Sequence, residues 1–199
     1  MDTQKYGSLN PSTTAFFMCD IQEKFRPAML HFKEVVESAS KLLQASKILG
    51  VPLIVTEQYP QGLGKTVEQL DVSHAIGVFS KTKFCMLVPE VLDALKTANN
   101  GNVSSVVLFG IEAHVCVEQT ALELKAQGYQ VHIVADASTS RTQEDRLLAL
   151  ERMKQIGCFI STRETVIFKL LGDKNNPNFS QIRPLVTNPM HPTGLIPKM

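Results

Sequence analysis

The stretch Ser105-Val-Val-Leu-Phe-Gly-Ile-Glu-Ala-His-Val-Cys116-Val-Glu-Gln-Thr-Ala-Leu-Glu-Leu124 decides how this chain folds. Residues 106–109 are continuously apolar, Gly110 permits a turn, and Val117, Ala121 and Leu124 then recur at helical spacing. That pattern predicts a buried parallel strand, a tight turn and a helix with Cys116 in its first turn. A thiol so placed lies near backbone N–H groups and the positive end of the helix dipole. Both favour thiolate, and the same N–H groups can hold an oxyanion. The plainer alternative is a small apolar Cys filling space where a helix meets a sheet.

The same alternation continues on both sides of this unit. Strands are predicted at 13–19, 51–56, 75–81, 130–135 and 158–161, and helices at 31–49, 89–98, 142–157 and 162–172, with a short helix over 179–186. Gly50 and Gly157 stand where helices should stop, and Pro89 where one should start. Residues 57–64, rich in Gly, Pro and Gln, read equally as a pocket wall or as a solvated connector. Six strands alternating with helices imply an α/β fold: a doubly wound, mostly parallel six-stranded sheet with helices on both faces. One domain is expected over 13–187, after a loose polar lead-in (1–12) and before a Pro-rich tail (188–199).

The totals exclude several function classes. The 199 residues are 44% hydrophobic and 20% charged, with a net charge of +1. A near-neutral chain has no global field to recruit nucleic acid or an anionic membrane. Apolar runs are strand-sized, far short of a membrane span, and the first residues carry no secretory or transit signal. Cys19, Cys85, Cys116 and Cys158 are scattered beside apolar segments. That fits free thiols in a reducing compartment, so a cytoplasmic protein is expected.

In doubly wound sheets ligands sit beyond the carboxyl ends of the strands. Asp20, Lys81 and Cys116 all fall at or just past such ends. A carboxylate and an ammonium beside a thiol make an activated nucleophile: Asp20 takes the thiol proton, and Lys81 stabilises the thiolate and keeps Asp20 ionised. Backbone N–H groups at Cys116 and in the turn before it would receive the negative charge of a tetrahedral intermediate. Asp20 as a turn cap and Lys81 as a solvated strand end are the bland alternatives. Lys83 shares a strand face with Lys81, so alternation does not separate the two.

Three blocks carry a resemblance. Met18-Cys-Asp20-Ile-Gln-Glu-Lys-Phe25, Phe79-Ser-Lys81-Thr-Lys-Phe84-Cys and Gly110-Ile-Glu-Ala-His-Val-Cys116-Val-Glu-Gln-Thr resemble the signature blocks of the isochorismatase-like hydrolases. The likeness runs from residue 13 to residue 170, and two further stretches, 56–64 and 136–141, look most like eukaryotic isochorismatase domain-containing proteins. The resemblance implies an Asp20–Lys81–Cys116 triad, with Lys81 chosen over Lys83 because the family's Lys stands three residues before an aromatic, here Phe84. It implies a cis peptide between Ile111 and Glu112 that aims the Glu112 and Cys116 amides at an oxyanion. It also implies homo-oligomers, with Phe179, Ile182, Leu185, Leu195 and Ile196 offered to a neighbouring subunit.

The metal-binding nicotinamidases of that family carry Asp-x-His after the second strand, where this chain has Glu57-Gln-Tyr59. His74 and His114 are isolated, and His31, His132 and His191 lie in a helix start, a strand and the tail, so no metal and no cofactor is expected. Gln22, Phe25, Tyr59 and Phe84 are the expected pocket lining, with His114 at the rim. The retained thiol favours a small amide-type C–N bond as substrate over a vinyl ether. A non-catalytic binding protein on the same fold and a ribonuclease are the alternatives, the latter opposed by the even spread of basic residues.

Overall fold

The computed structural model describes residues 6–187. Six strands form one sheet: β1 (Thr14–Cys19), β2 (Leu53–Gln58), β3 (Gly77–Lys81), β4 (Ser105–Ile111), β5 (Gln130–Thr139) and β6 (Phe159–Ser161). Every adjacent pair is parallel, in the order β3-β2-β1-β4-β5-β6. The chain leaves the centre in opposite directions from β1 and β4, so their carboxyl ends flank the switch point where such sheets leave a crevice.

Strand residues alternate between two apolar layers. Phe16, Met18, Leu53, Val55, Val107 and Phe109 face α1 (Phe32–Leu49), α6 (Arg163–Leu171) and α7 (Phe179–Thr187). Phe17, Cys19, Ile54, Val106 and Leu108 pack in the other layer with residues of α3 (Pro89–Thr97), α4 (Glu118–Ala126) and α5 (Gln143–Gln155). Thr142 and Thr162 cap α5 and α6, their hydroxyls accepting from the N–H of Asp145 and Thr165. Among the described residues no helix is long and apolar enough to cross a membrane.

Two strands run further than their apolar stretches predict. Strand β2 continues through Glu57 and Gln58, and β5 continues through Asp136 to Thr139. The acidic residues among them remain in the sheet because each has a hydrogen-bond partner. Glu57 accepts from the Thr66 N–H (2.7 Å) and hydroxyl (3.0 Å), and Asp136 accepts from the Arg163 N–H (2.7 Å). A register shift between Leu108 and Gly110 absorbs the extra residues of β5, and buried Arg146 donates to the carbonyls of Ser138 and Ala135. Residues 57–64 are thus part strand and part a short helix, α2 (Pro60–Leu63).

One packing expectation needs correction. The described part of the lead-in is not loose: Leu9 is buried in the core, and Lys169 donates to the Gly7 carbonyl. Ile182 and Leu185 are buried in this chain's own first apolar layer, with Phe179 packed against it and partly exposed. Leu195 and Ile196, like the rest of 188–199, lie outside the described residues.

His132 sits fully buried in β5, stacked on Phe159 with ring centroids 4.9 Å apart, and neither ring nitrogen has a hydrogen-bond partner. Burial, helped by the charges of Lys169 and Lys125, pushes its pKa down to about 4. The unfolded chain, with the ordinary value near 6.5, therefore binds this proton first. Stability is complete above about pH 6.5 and falls as pH drops towards 4, by about 2 kcal/mol at about pH 5 from this residue. Urea midpoints of the protein and of His132→Leu should diverge in that window. Parallel pH profiles would mean that His132 is not titrating with folding.

Candidate active site

The chain makes an abrupt left-handed excursion at Asp20 (φ 50°), directly after β1. Asp tolerates this region better than most residues, yet holding it there costs on the order of 1–3 kcal/mol, a strain that clusters at functional sites. The excursion leaves the Asp20 carboxylate fully buried. Thr56 donates its hydroxyl to Oδ1 (2.7 Å), the Cys19 thiol donates to Oδ2 (3.5 Å), and Lys81 Nζ lies 2.7 Å from Oδ2.

Lys81 ends β3, and its whole side chain is enclosed. Its ammonium donates to Asp20, to Gln58 Oε1 (2.7 Å) and to the carbonyls of Phe84 (2.9 Å) and Lys83 (3.2 Å). Burial opposes the charge there, but the surrounding Cys19, Asp20 and Cys116 outweigh it, and the amine's pKa ends above its ordinary value. Lys83 is excluded by geometry. The strand stops at Lys81, and Lys83 reaches across the surface to Glu123 at 2.8 Å. The hydrogen bonds of Lys81 all go to oxygen atoms, none to sulfur. Its influence on sulfur runs through Asp20 and through space.

The Ile111–Glu112 peptide is cis. Strand β4 continues through Gly110 and Ile111, and the turn that follows, Ala113–Val117, is π-helical before α4 begins. Such wide turns are rare and frequent at functional sites. Here the N–H groups of Val115 and Val117 both bond the Glu112 carbonyl, and Cys116 is held between them, 4% exposed. The sulfurs of Cys116 and Cys19 and a carboxylate oxygen of Asp20 all lie within 4.8 Å of one another. Burial above all, then the neighbouring Cys116 thiol and the charge of Asp20, raises the Cys19 thiol well above its ordinary pKa. Two sulfurs and a carboxylate can in principle ligate a metal, but the Lys81 ammonium already supplies the cation that Asp20 faces.

The expected lining residues divide. Tyr59 is half-exposed and borders a cleft of ≈ 240 Å³ with Pro60, Gln61, Ser80, Lys81 and Thr82. Phe84 is also half-exposed, and its carbonyl binds Lys81. His114 sits partly exposed in the Cys116 turn, its Nδ1 2.9 Å from the Ser140 hydroxyl. Gln22 and Phe25 are corrections. Gln22 is fully buried as a clasp, donating to the carbonyls of Gln58 and Gly64 and accepting from the Gln58 N–H. Phe25 packs in the α1 layer, whereas Cys116 belongs to the other. Closeness in sequence to Asp20 misled because the chain turns away into the core.

Sequence reasoning missed Gln58, which joins Lys81 to the loop: Oε1 accepts from the ammonium while Nε2 donates to the Thr82 carbonyl (2.8 Å). The signal was available as a polar residue at the carboxyl end of a strand. Larger concavities of ≈ 270 and ≈ 280 Å³ lie around His74, and Asp20, Lys81 and Cys116 line neither.

A model of the Isochorismatase domain matches residues 14–165. The chain is 47% identical over 199 residues to isochorismatase domain-containing protein 1 of Danio rerio, covering 100% of this chain and 70% of that protein. It is 44% identical over 193 residues to isochorismatase domain-containing protein 2 of Xenopus laevis, covering 97% and 93%. A solved structure described as MAR1 ribonuclease from Caenorhabditis elegans matches with a TM-score of 0.91 and 42% identity, covering 97% of this chain and 99% of that one. With the domain matched across the sheet, and relatives this similar over nearly the full length, the chain belongs to the isochorismatase domain family of hydrolases.

Proposed function

We propose that this protein cleaves a small amide-type C–N bond through a covalent Cys116 intermediate, with Asp20 and Lys81 completing the triad and no metal in the reaction. The observation that carries the reading is the enclosed Asp20–Lys81 pair with the Cys116 sulfur within 4.8 Å of the carboxylate. Asp20 takes the thiol proton as sulfur attacks the carbonyl carbon. The oxyanion falls to the backbone N–H groups of Glu112 and Cys116, at the positive end of the helical segment. Collapse expels the amine with the proton from Asp20, and the same carboxylate then activates the water that hydrolyses the thioester. Lys81 pairs with Asp20 and holds it aimed. The residues over 13–187 act as one domain, and four buried free cysteines fit work in the reducing cytoplasm.

The test is a panel of small amides with intact-mass detection of the acyl-enzyme, beside iodoacetamide labelling of the folded protein. Cys116 should label ahead of Cys19, Cys85 and Cys158. Turnover and adduct should vanish in Cys116→Ala, and Asp20→Asn should slow turnover by about 10²–10⁴. Equal labelling of all four thiols would end the proposal. The name of the C. elegans relative makes ribonuclease activity the second reading. RNA cleavage that is lost in Cys116→Ala, with every amide inert, would favour it.

A further inference from the structure

The mechanism above leaves one sulfur unused. Cys19 is the last residue of β1, paired in register with Gly110 of β4, and its side chain lies in the same apolar layer as Cys116. The two sulfurs fall within 4.8 Å of each other and of Asp20. Cys19 Sγ also donates to Asp20 Oδ2 at 3.5 Å, so the carboxylate proposed to deprotonate Cys116 is hydrogen-bonded to the second thiol. Cys85 and Cys158 lie outside this group. A pure packing role needs a small apolar side chain at position 19, not a thiol hydrogen-bonded to the reaction's base and beside its nucleophile.

We propose that Cys19 is the resolving partner of Cys116, and that a hydroperoxide converts the pair into a reversible disulfide that shuts the site. This rests on Cys116 being the reactive thiolate of the proposed triad. In the first step the Cys116 sulfur attacks the peroxide's terminal oxygen. An S–O bond forms, the O–O bond breaks, sulfur loses two electrons, and water or an alcohol leaves. In the second, Asp20 takes the Cys19 proton and the Cys19 sulfur attacks the sulfenic sulfur. The S–S bond forms as the S–O bond breaks, and the departing hydroxide leaves as water with the proton from Asp20. Side-chain rotation must bring the sulfurs to the bonded separation of about 2.05 Å. Cys116, the less enclosed of the two, meets the oxidant, while Cys19 stays protonated and protected until the sulfenic acid appears beside it. A dithiol reductant restores both thiols.

The whole protein is treated with hydrogen peroxide, blocked with N-ethylmaleimide, digested and mapped by mass spectrometry. The expected product has lost two hydrogens, contains a Cys19–Cys116 linked peptide and no longer labels at Cys116 with iodoacetamide. Dithiothreitol should restore that labelling in full. Cys19→Ser should instead accumulate Cys116 bearing two oxygens, with labelling that dithiothreitol does not recover. Irreversible oxidation of Cys116 in the unmutated protein, with Cys19 still alkylatable after unfolding, would overturn the proposal while leaving the triad intact. A Cys116 inert to both iodoacetamide and peroxide would overturn the triad reading itself. Because the linked peptide is sought in the unmutated chain, failure of Cys19→Ser to fold does not blunt the test.

Discussion

Lys81→Met is expected to destabilise the protein by about 3–5 kcal/mol, because it leaves a carboxylate in the interior with its counter-charge removed. Both side chains of the pair are fully enclosed at a separation of 2.7 Å. Once the ammonium is gone, Asp20 keeps only the Thr56 hydroxyl and the Cys19 thiol as side-chain donors among the described residues. The matched control is Lys83→Met two residues on. Its partner Glu123 is solvent-exposed, and such a pair contributes about 0–1 kcal/mol. Urea midpoints of the two variants therefore report burial directly. Asp20→Asn combined with Lys81→Met should recover much of the loss, since the pair is then neutral on both sides. Iodoacetamide labelling of Cys116 should slow in Lys81→Met even in the fraction that remains folded. A Lys81→Met midpoint within about 1 kcal/mol of the parent would mean that the carboxylate does not depend on its ammonium. Because the Lys81 pKa is raised, the pair's contribution is complete at neutral pH and is lost only as pH climbs through the elevated lysine value.

The contrast between the two lysines shows where sequence is enough and where it stops. Apolar runs at 14–19 and 105–111 announce buried central strands, because both of their faces are covered and no alternation is needed. The carboxyl ends of the strands are harder to read. Glu57, Gln58 and Asp136 look like loop residues by composition, yet they continue the sheet because each finds a hydrogen-bond partner. Composition records the cost of burying a polar group but not the partner that offsets it.

The candidate cluster was legible because strand order is a rule: ends of β1 and β4 must meet at the switch point, and β3 lies two strands away from β1. Its supporting residues were not. Gln22 lies two residues from Asp20 and is a clasp inside the loop, whereas Gln58 and Thr56, far away in sequence, hold the charged pair. The π-helical turn around Cys116 is likewise invisible to helical spacing, which Val117, Ala121 and Leu124 satisfy with or without it.

Gly110→Ala is expected to damage fold and site together. Gly110 has φ +132°, a conformation that side-chain-bearing residues rarely adopt. A Cβ there would lie 2.0 Å from the Cys19 carbonyl oxygen and under 3 Å from two more backbone atoms of Cys19. No rotamer relieves such a contact, because the obstacle is the neighbouring strand. The backbone conformation alone costs about 1–3 kcal/mol for a non-glycine residue, and overpacking adds about 1–3 kcal/mol more. The larger consequence is positional. The only ways out are to part β1 from β4 or to shift Cys19, and either displaces Asp20, the next residue, from the cysteine turn that β4 feeds. A folded fraction of Gly110→Ala should thus lose preferential labelling of Cys116 even where its circular dichroism stays native. Gly50→Ala is the control for φ alone, since Gly50 has φ +67° with nothing within 4 Å of an added Cβ, and it should leave labelling untouched. If Gly110→Ala behaved like Gly50→Ala in both stability and labelling, the close approach of β4 to β1 would have no part in setting the distance between carboxylate and sulfur.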